Sequence, residues 1–239
     1  MKKKKWIGKA GSIVGIVLIL ALVVFGVKKV VALMPYLNLP EITKEQLDDL
    51  KLDKCKKLMI VAHPDDETLW GGFGLIEDDY FVLCITNGDN EVRSGEFKKI
   101  METTGDVGLI LSYPDKIGGK RSDWRLWKKQ IQTDIETVLN YKDWELVVTH
   151  NEKGEYGHQH HIMTHELEVA AFRKSNCKAQ QYFFGKYYKK KDLPEDLEGK
   201  VVNEKLNQKY QLYKIYESQK RTIKKLSHMT PYENWITGD

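Results

Sequence analysis

Four apolar residues, Leu58-Met59-Ile60-Val61, run straight into Ala62-His63-Pro64-Asp65-Asp66-Glu67-Thr68, and this junction constrains the fold more than any other stretch. An unbroken apolar run of that length, bounded by polar residues, is a strand buried on both faces. Leu69-Trp70-Gly71-Gly72-Phe73 then opens a helix. One imidazole and three carboxylates therefore crowd the carboxyl end of a buried strand, where open α/β sheets place their ligands. Pro64 fixes the backbone between the imidazole and the acids. A helix cap or a plain His-Pro turn would use the same residue types. A second cluster, far along the chain, favours a hydrolytic metal site instead.

The same pattern recurs. Tyr80 to Thr86 is a second buried strand, stopped by Asn87-Gly88-Asp89. Phe97 to Val107 reads as a helix, and Leu109-Ile110-Leu111 as a short strand before Tyr113-Pro114-Asp115. Trp124, Trp127, Ile131, Ile135, Val138 and Leu139 recur at helical spacing and make a packing face. Glu145 to Thr149 is a strand, His161 to Arg173 a helix, Gln181 to Phe184 a last strand, and Leu206 to Leu226 a long basic helix. Strands alternating with helices predict an α/β fold, a Rossmann-like, predominantly parallel sheet with helices on both faces. A chain of 239 residues at 41% hydrophobic content supplies one sizeable core plus an appendage.

The appendage is the amino-terminal segment. Residues 1–29 hold seven lysines and no acid, which leaves 31 basic against 34 acidic residues in the remainder of a chain whose net charge is +4. A mildly acidic body argues against a nucleic-acid partner. Cys55, Cys84 and Cys177 are too few and too scattered for a disulfide framework or a zinc knuckle. Residues 1–9 read as a basic segment, 10–34 as one transmembrane signal anchor, 35–54 as a linker and 55–239 as the folded domain. Five lysines precede the apolar stretch and two follow it, so the expected localisation is a single-pass cell-membrane protein with its N-terminus inside and its domain extracytoplasmic.

The second cluster is Gly154-Glu155-Tyr156-Gly157-His158-Gln159-His160-His161, directly after the 145–149 strand. In a parallel sheet all strand carboxyl ends face one way, so this loop is expected to meet the first turn. His63, Asp66 and His161 supply three ligands, enough for a catalytic zinc with positions left for water and substrate. Asp65 is then left beside the metal as a base, with His158 across the loop.

The pair of motifs, Ala-His-Pro-Asp-Asp-Glu and Gly-His-x-x-His, resembles the PIG-L/LmbE family of metal-dependent N-acetylglucosaminyl deacetylases. Thr86-Asn87-Gly88-Asp89, Arg93-x-x-Glu96, Tyr113-Pro114-Asp115 and Glu217-Ser218-Gln219 extend the likeness over roughly residues 55–225. The resemblance implies zinc, or ferrous iron, on His63, Asp66 and His161, with Asp65 as general base. It links His158 to transition-state charge and Tyr156 to a mobile-loop tyrosine contacting the reacting carbonyl, and offers Arg93 and Asp115 for sugar hydroxyls. The family's usual Pro-Asp or Pro-Asn between the histidines is Gln159-His160 here, which leaves the ligand open by one position, with the spacing favouring His161.

The chemistry this implies is removal of an N-acetyl group from an N-acetylglucosamine-type glycan, glycolipid or small glycoconjugate by metal-activated water. A metal-dependent phosphoesterase and a non-catalytic sugar-binding module are the alternatives. A phosphoesterase commonly needs more ligands, for two metals, and a module would have lost the base or a ligand.

Overall fold

The apolar runs become the centre of a sheet. The computed structural model describes residues 20–198, 200–202 and 204–238. Its strands are β1 (Lys57–Val61), β2 (Tyr80–Thr86), β3 (Val107–Tyr113), β4 (Lys116–Ile117), β5 (Lys120–Arg121), β6 (Leu146–Thr149), β7 (Gln180–Phe183) and β8 (Ile236–Thr237). All but β4 and β5 lie in one six-stranded sheet, ordered β3-β2-β1-β6-β7-β8. Every neighbouring pair in it is parallel except β7 with β8. Every residue of β2 is buried, the mark of a strand covered on both faces. The mostly parallel α/β sheet expected from the sequence is therefore present.

Chain order and sheet order part company at β1. From β1 the chain steps outward through β2 to β3, then returns to lay β6 on the other side of β1, with Lys57 to Ile60 in register with Leu146 to Thr149. The carboxyl ends of β1 and β6 thus flank the switch point of the sheet, where open α/β sheets place their ligands.

The helices are α1 (residues 20–33), α2 (Lys44–Asp49), α3 (Asp66–Glu77), α4 (Glu91–Thr104), α5 (Lys128–Leu139), α6 (Gly154–Gly157), α7 (Gln159–Lys174), α8 (Glu204–Tyr213) and α9 (Lys220–Leu226). Asn90 caps α4 by accepting from Arg93 N, and Gly105, at φ 85°, ends it in the left-handed conformation that glycine tolerates. Ile131, Ile135, Val138 and Leu139 of α5 are buried as their spacing predicts, but Trp124 and Trp127 precede that helix. Lys209 of α8 is fully buried and donates to Leu69 O and to Glu233, which also accepts from Phe73 N, so α8 and the C-terminal segment are tied to α3. The long helix expected over 206–226 is interrupted between α8 and α9, where Tyr216 enters the core.

Among the described residues two units are compact in themselves: those of 40–113 with 123–239, and those of 1–39 with 114–122. The larger holds the sheet and α2 to α9; in it Ile42, Leu47 and Leu52 are buried, and Ile42 N donates to Asp134 Oδ1 at 2.8 Å. The smaller holds α1, a 3-10 turn over Met34–Tyr36 and the hairpin β4-β5.

The membrane expectation requires correction. Among the described residues no helix is long and apolar enough to cross a membrane. The described part of α1 spans residues 20–33 and gives way to the 3-10 turn. Residues 10–19 of the expected 10–34 anchor lie outside the described residues. Single-pass localisation, membrane partnership through that helix and the outward orientation built on them are accordingly not supported.

One buried acid gives the fold a pH signature. Glu168 of α7 is fully buried and accepts from the side-chain amide of Gln181, at 2.8 and 3.0 Å; burial pushes it up to about 7, and that amide only partly offsets the shift. The unfolded carboxyl, ordinarily near 4.5, loses its proton first, so stability is full at low pH and falls as pH rises towards 7. The loss is about 3 kcal/mol at about 1.4 kcal/mol per pH unit. Glu168→Gln is expected to flatten this slope and to raise the urea midpoint at pH 8 but not at pH 4.

Candidate metal centre

The first turn is built by its own backbone. Beyond β1, Ala62 O accepts from Thr86 N and Thr86 Oγ1, which ties the strand end to β2. His63 N donates to Asp66 Oδ2 at 2.9 Å, and Asp66 N returns a bond to His63 O. Asp65 then takes φ 123°, ψ −28°, a conformation few L-residues adopt, which costs roughly 1–3 kcal/mol. Asp65 stands at the N-cap position of α3, yet its carboxylate makes no capping bond. That side chain instead faces Arg93, whose Nη2 lies 3.3 Å from Asp65 Oδ1 and also donates to Pro64 O.

The second loop closes over it. His150, just past β6, is fully buried, and its Nε2 accepts from Ala62 N–H at 3.0 Å. Its proton is therefore on Nδ1, which donates to Glu155 Oε2 at 3.1 Å. Glu155 holds φ 53°, ψ −68°, preceded by Gly154 at φ 61°, where a Cβ would come 2.9 Å from Ile162. This kink turns the Glu155 carboxylate inward to bind Asn151 N, His150 and His161 Nδ1 together.

His161 is oriented by that contact. With Nδ1 on Glu155, its Nε2 points at Asp66 Oδ1, 3.2 Å away, without completing a hydrogen bond. Asp66 Oδ2 lies 3.0 Å from His63 Nδ1, so one carboxylate faces both imidazoles. The turn and the loop, 95 residues apart between Asp66 and His161, therefore meet.

The other expected residues take separate places. His158 caps the start of α7, half-buried, with ring centroids 4.7 Å from His63 and 4.3 Å from His161. Tyr156, 37% exposed, sits at the rim against Trp70, His158 and Tyr187. His160 is turned away from Asp66, with Nδ1 on His63 Nε2 at 3.0 Å and its ring stacked on Trp124 at 4.3 Å. Asp115 lies in the smaller unit, with Arg121 Nη1 3.8 Å from its carboxylate.

Electrostatics separate the two aspartates. Burial, together with the Asp66 charge, pushes Asp65 well above the usual carboxylate range, and Arg93 only partly offsets this. Burial acts in the same direction on Asp66, but the His161 and His63 imidazoles outweigh it and hold Asp66 well below that range. Against the cost of their own burial, His161 is raised to about 10 by Asp66 and Glu155, and Glu155 is lowered to about 2 by His150 and His161. A positive charge is thus strongly favoured at the point the imidazoles and Asp66 share.

Among the described residues, donor atoms of His63, His158 and His161 lie within 4.8 Å of one another, as do those of Asp66, His150 and His161. The donor set fits a borderline divalent ion of the zinc type: imidazole and carboxylate, an uncommitted buried Nε2, and a carboxylate behind the imidazole. His150 Nε2 already accepts from Ala62 N–H, and the two ring nitrogens of His63 face Asp66 Oδ2 and His160 Nδ1.

The sequence alone does not single out Glu155, His150, Trp124 or Tyr216 as parts of this cluster, whereas Glu67 is one of the three carboxylates of the first turn. Glu155 sits inside the histidine-rich motif, and an acid between glycines so close to three histidines was a usable signal. Tyr216 offered none.

Fold and cluster together define an α/β protein with a candidate metal centre at the switch point of a mostly parallel sheet. Residues 58–172, from β1 to α7, match the PIG-L family (GlcNAc-PI de-N-acetylase). The chain is 37% identical over 125 residues to an uncharacterized protein of Acanthamoeba polyphaga mimivirus, covering 45% of this chain and 54% of that protein. It is 26% identical over 161 residues to 1D-myo-inositol 2-acetamido-2-deoxy-alpha-D-glucopyranoside deacetylase 1 of Saccharopolyspora erythraea, covering 49% of this chain and 53% of that protein. The chain spans about half the length of these curated relatives. The crystal structure of the pseudoaglycone deacetylase Dbv21 shares the fold, with a TM-score of 0.54 at 20% identity over 72% of this chain and 85% of that one.

Proposed function

We propose that this chain is a metal-dependent N-deacetylase that removes the acetyl group from an N-acetylglucosamine-type sugar conjugate. The observation that carries this reading is a buried aspartate, Asp65, held by Arg93 beside an Asp66–His63–His161 cluster within the region that matches the PIG-L family. Two of the similar proteins are named as deacetylases, one of them of a 2-acetamido-2-deoxyglucoside.

His63, Asp66 and His161 would hold the ion, zinc first and ferrous iron second. Bound there, such an ion supplies Lewis-acid polarisation of the amide carbonyl and acidifies water. Asp65 takes the proton of the attacking water. Asp65, carrying that proton, passes it to the departing nitrogen. The new C–O bond forms on the acyl carbon, the C–N bond breaks, and acetate and a free amine leave. His158, beside both ligand imidazoles, donates to the charge that develops on the carbonyl oxygen, an interaction typically worth about 3 kcal/mol. Tyr156, at the rim against His158, contacts the reacting carbonyl. Arg93 is engaged with Asp65 and Pro64, so we assign it to orienting the base rather than to binding sugar hydroxyls.

Incubating the zinc-loaded full chain with N-acetylglucosamine conjugates is expected to release acetate and amine in equal amounts. Phosphate release from phosphate esters would instead favour a phosphoesterase, and sugar binding with neither product a binding module. Glu155→Gln, which weakens the support behind His161, is expected to lower zinc affinity by about 10–100-fold in a chelator competition.

A further inference from the structure

We infer that the Tyr216–Ser218 turn, outside the matched family region, is a positioning element that holds Asp65 in place. The inference rests on the proposed role of Asp65 as base. The backbone of Asp65 is strained, so something must over-determine it. Its N–H donates to Glu67 Oε2 at 3.1 Å, and Glu67 is 0% exposed. A carboxylate so placed needs further donors, and two reach its other oxygen: Thr68 Oγ1 at 2.6 Å and Tyr216 OH at 2.7 Å. Thr68 is local. Tyr216 is also 0% exposed and arrives from 149 residues away, at the break between α8 and α9.

The same turn reaches the second support of Asp65. Ser218 N and Oγ donate to Glu96 Oε1 and Oε2 at 2.8 and 2.6 Å. Glu96 lies on α4 three residues after Arg93, the residue that contacts the Asp65 carboxylate. One C-terminal turn thus braces both contacts, Tyr216 through Glu67 to the Asp65 backbone and Ser218 through α4 to the Asp65 side chain. The interruption of the 206–226 helix acquires a purpose: a continuous helix would not deliver the Tyr216 phenol to this acid.

Tyr216→Phe removes the hydroxyl and keeps the ring. Amide hydrogen exchange in the 15N-labelled full chain is expected to show the Asp65 N–H exchanging at least ~10-fold faster, with the β1 amides unchanged, as loss of a hydrogen bond to a charged group implies. In the zinc-loaded enzyme, kcat is expected to fall by at least ~10-fold with KM and zinc content little changed. Should Tyr216→Phe not fold, Ser218→Ala, on the exposed side of the turn, is expected to act in the same direction and more weakly. Asp65 exchange equal to wild type in the folded variant would overturn the inference, whatever the activity. A wild-type chain that releases no acetate would overturn the deacetylase reading, and the exchange measurement would still decide the role of the turn.

Discussion

Asp65→Asn is expected to leave zinc binding intact and to lower kcat by about 10²–10⁴-fold, the usual contribution of a positioned general base. The separation of effects follows from the turn. The Asp65 carboxylate faces Arg93, whereas Asp66 faces the two imidazoles. The substitution is also expected not to lower the melting temperature. Folded Asp65 holds its proton to higher pH than the unfolded residue, because of burial and the Asp66 charge. Its ionisation at neutral pH therefore opposes folding, an opposition that is absent below the unfolded pKa and grows above it. Asparagine never ionises. Zinc titration, a thermal melt at pH 7.5 and initial acetate-release rates check the three parts. A substantial loss of zinc would place Asp65 among the ligands instead.

His161→Ala is expected to abolish both zinc binding and turnover, and to destabilise the metal-free chain by about 3–5 kcal/mol. His161 faces Asp66 and Glu155 together, with His150 beside both, so its removal takes an imidazole from each of two buried carboxylates. His160→Ala provides the contrast. Its ring contacts Trp124 and His63 rather than Asp66, so zinc is expected to be retained with weaker affinity. Equilibrium dialysis with zinc, alongside urea unfolding of the metal-free variants, separates the two histidines. The reverse order of effects would shift the ligand by one position.

Both motifs were legible because each follows an uninterrupted apolar strand. Once β1 and β6 are parallel neighbours, His63 and the 154–161 loop must emerge on one side of the sheet. The residue types then specify the chemistry, a carboxylate between imidazoles. The supports of that cluster were not legible, because no local periodicity encodes them. Glu155 enters the site through a kink at its own φ and ψ. Tyr216 enters through a helix break within a stretch whose helical spacing looks continuous. Trp124 was expected in the core and is there, but its indole face also backs His160. The membrane expectation came from apolar composition read across 10–34, whereas among the described residues no helix is long and apolar enough to cross a membrane.

The central claim is that a turn after β1 and a loop after β6 share one divalent ion. Anomalous diffraction at the zinc edge on crystals of the zinc-loaded full chain tests it most directly. The expected result is one peak about 2.0–2.2 Å from a carboxylate oxygen of Asp66, a ring nitrogen of His63 and Nε2 of His161. A peak held without Asp66 and His161, or no peak between them at saturating zinc, would contradict it.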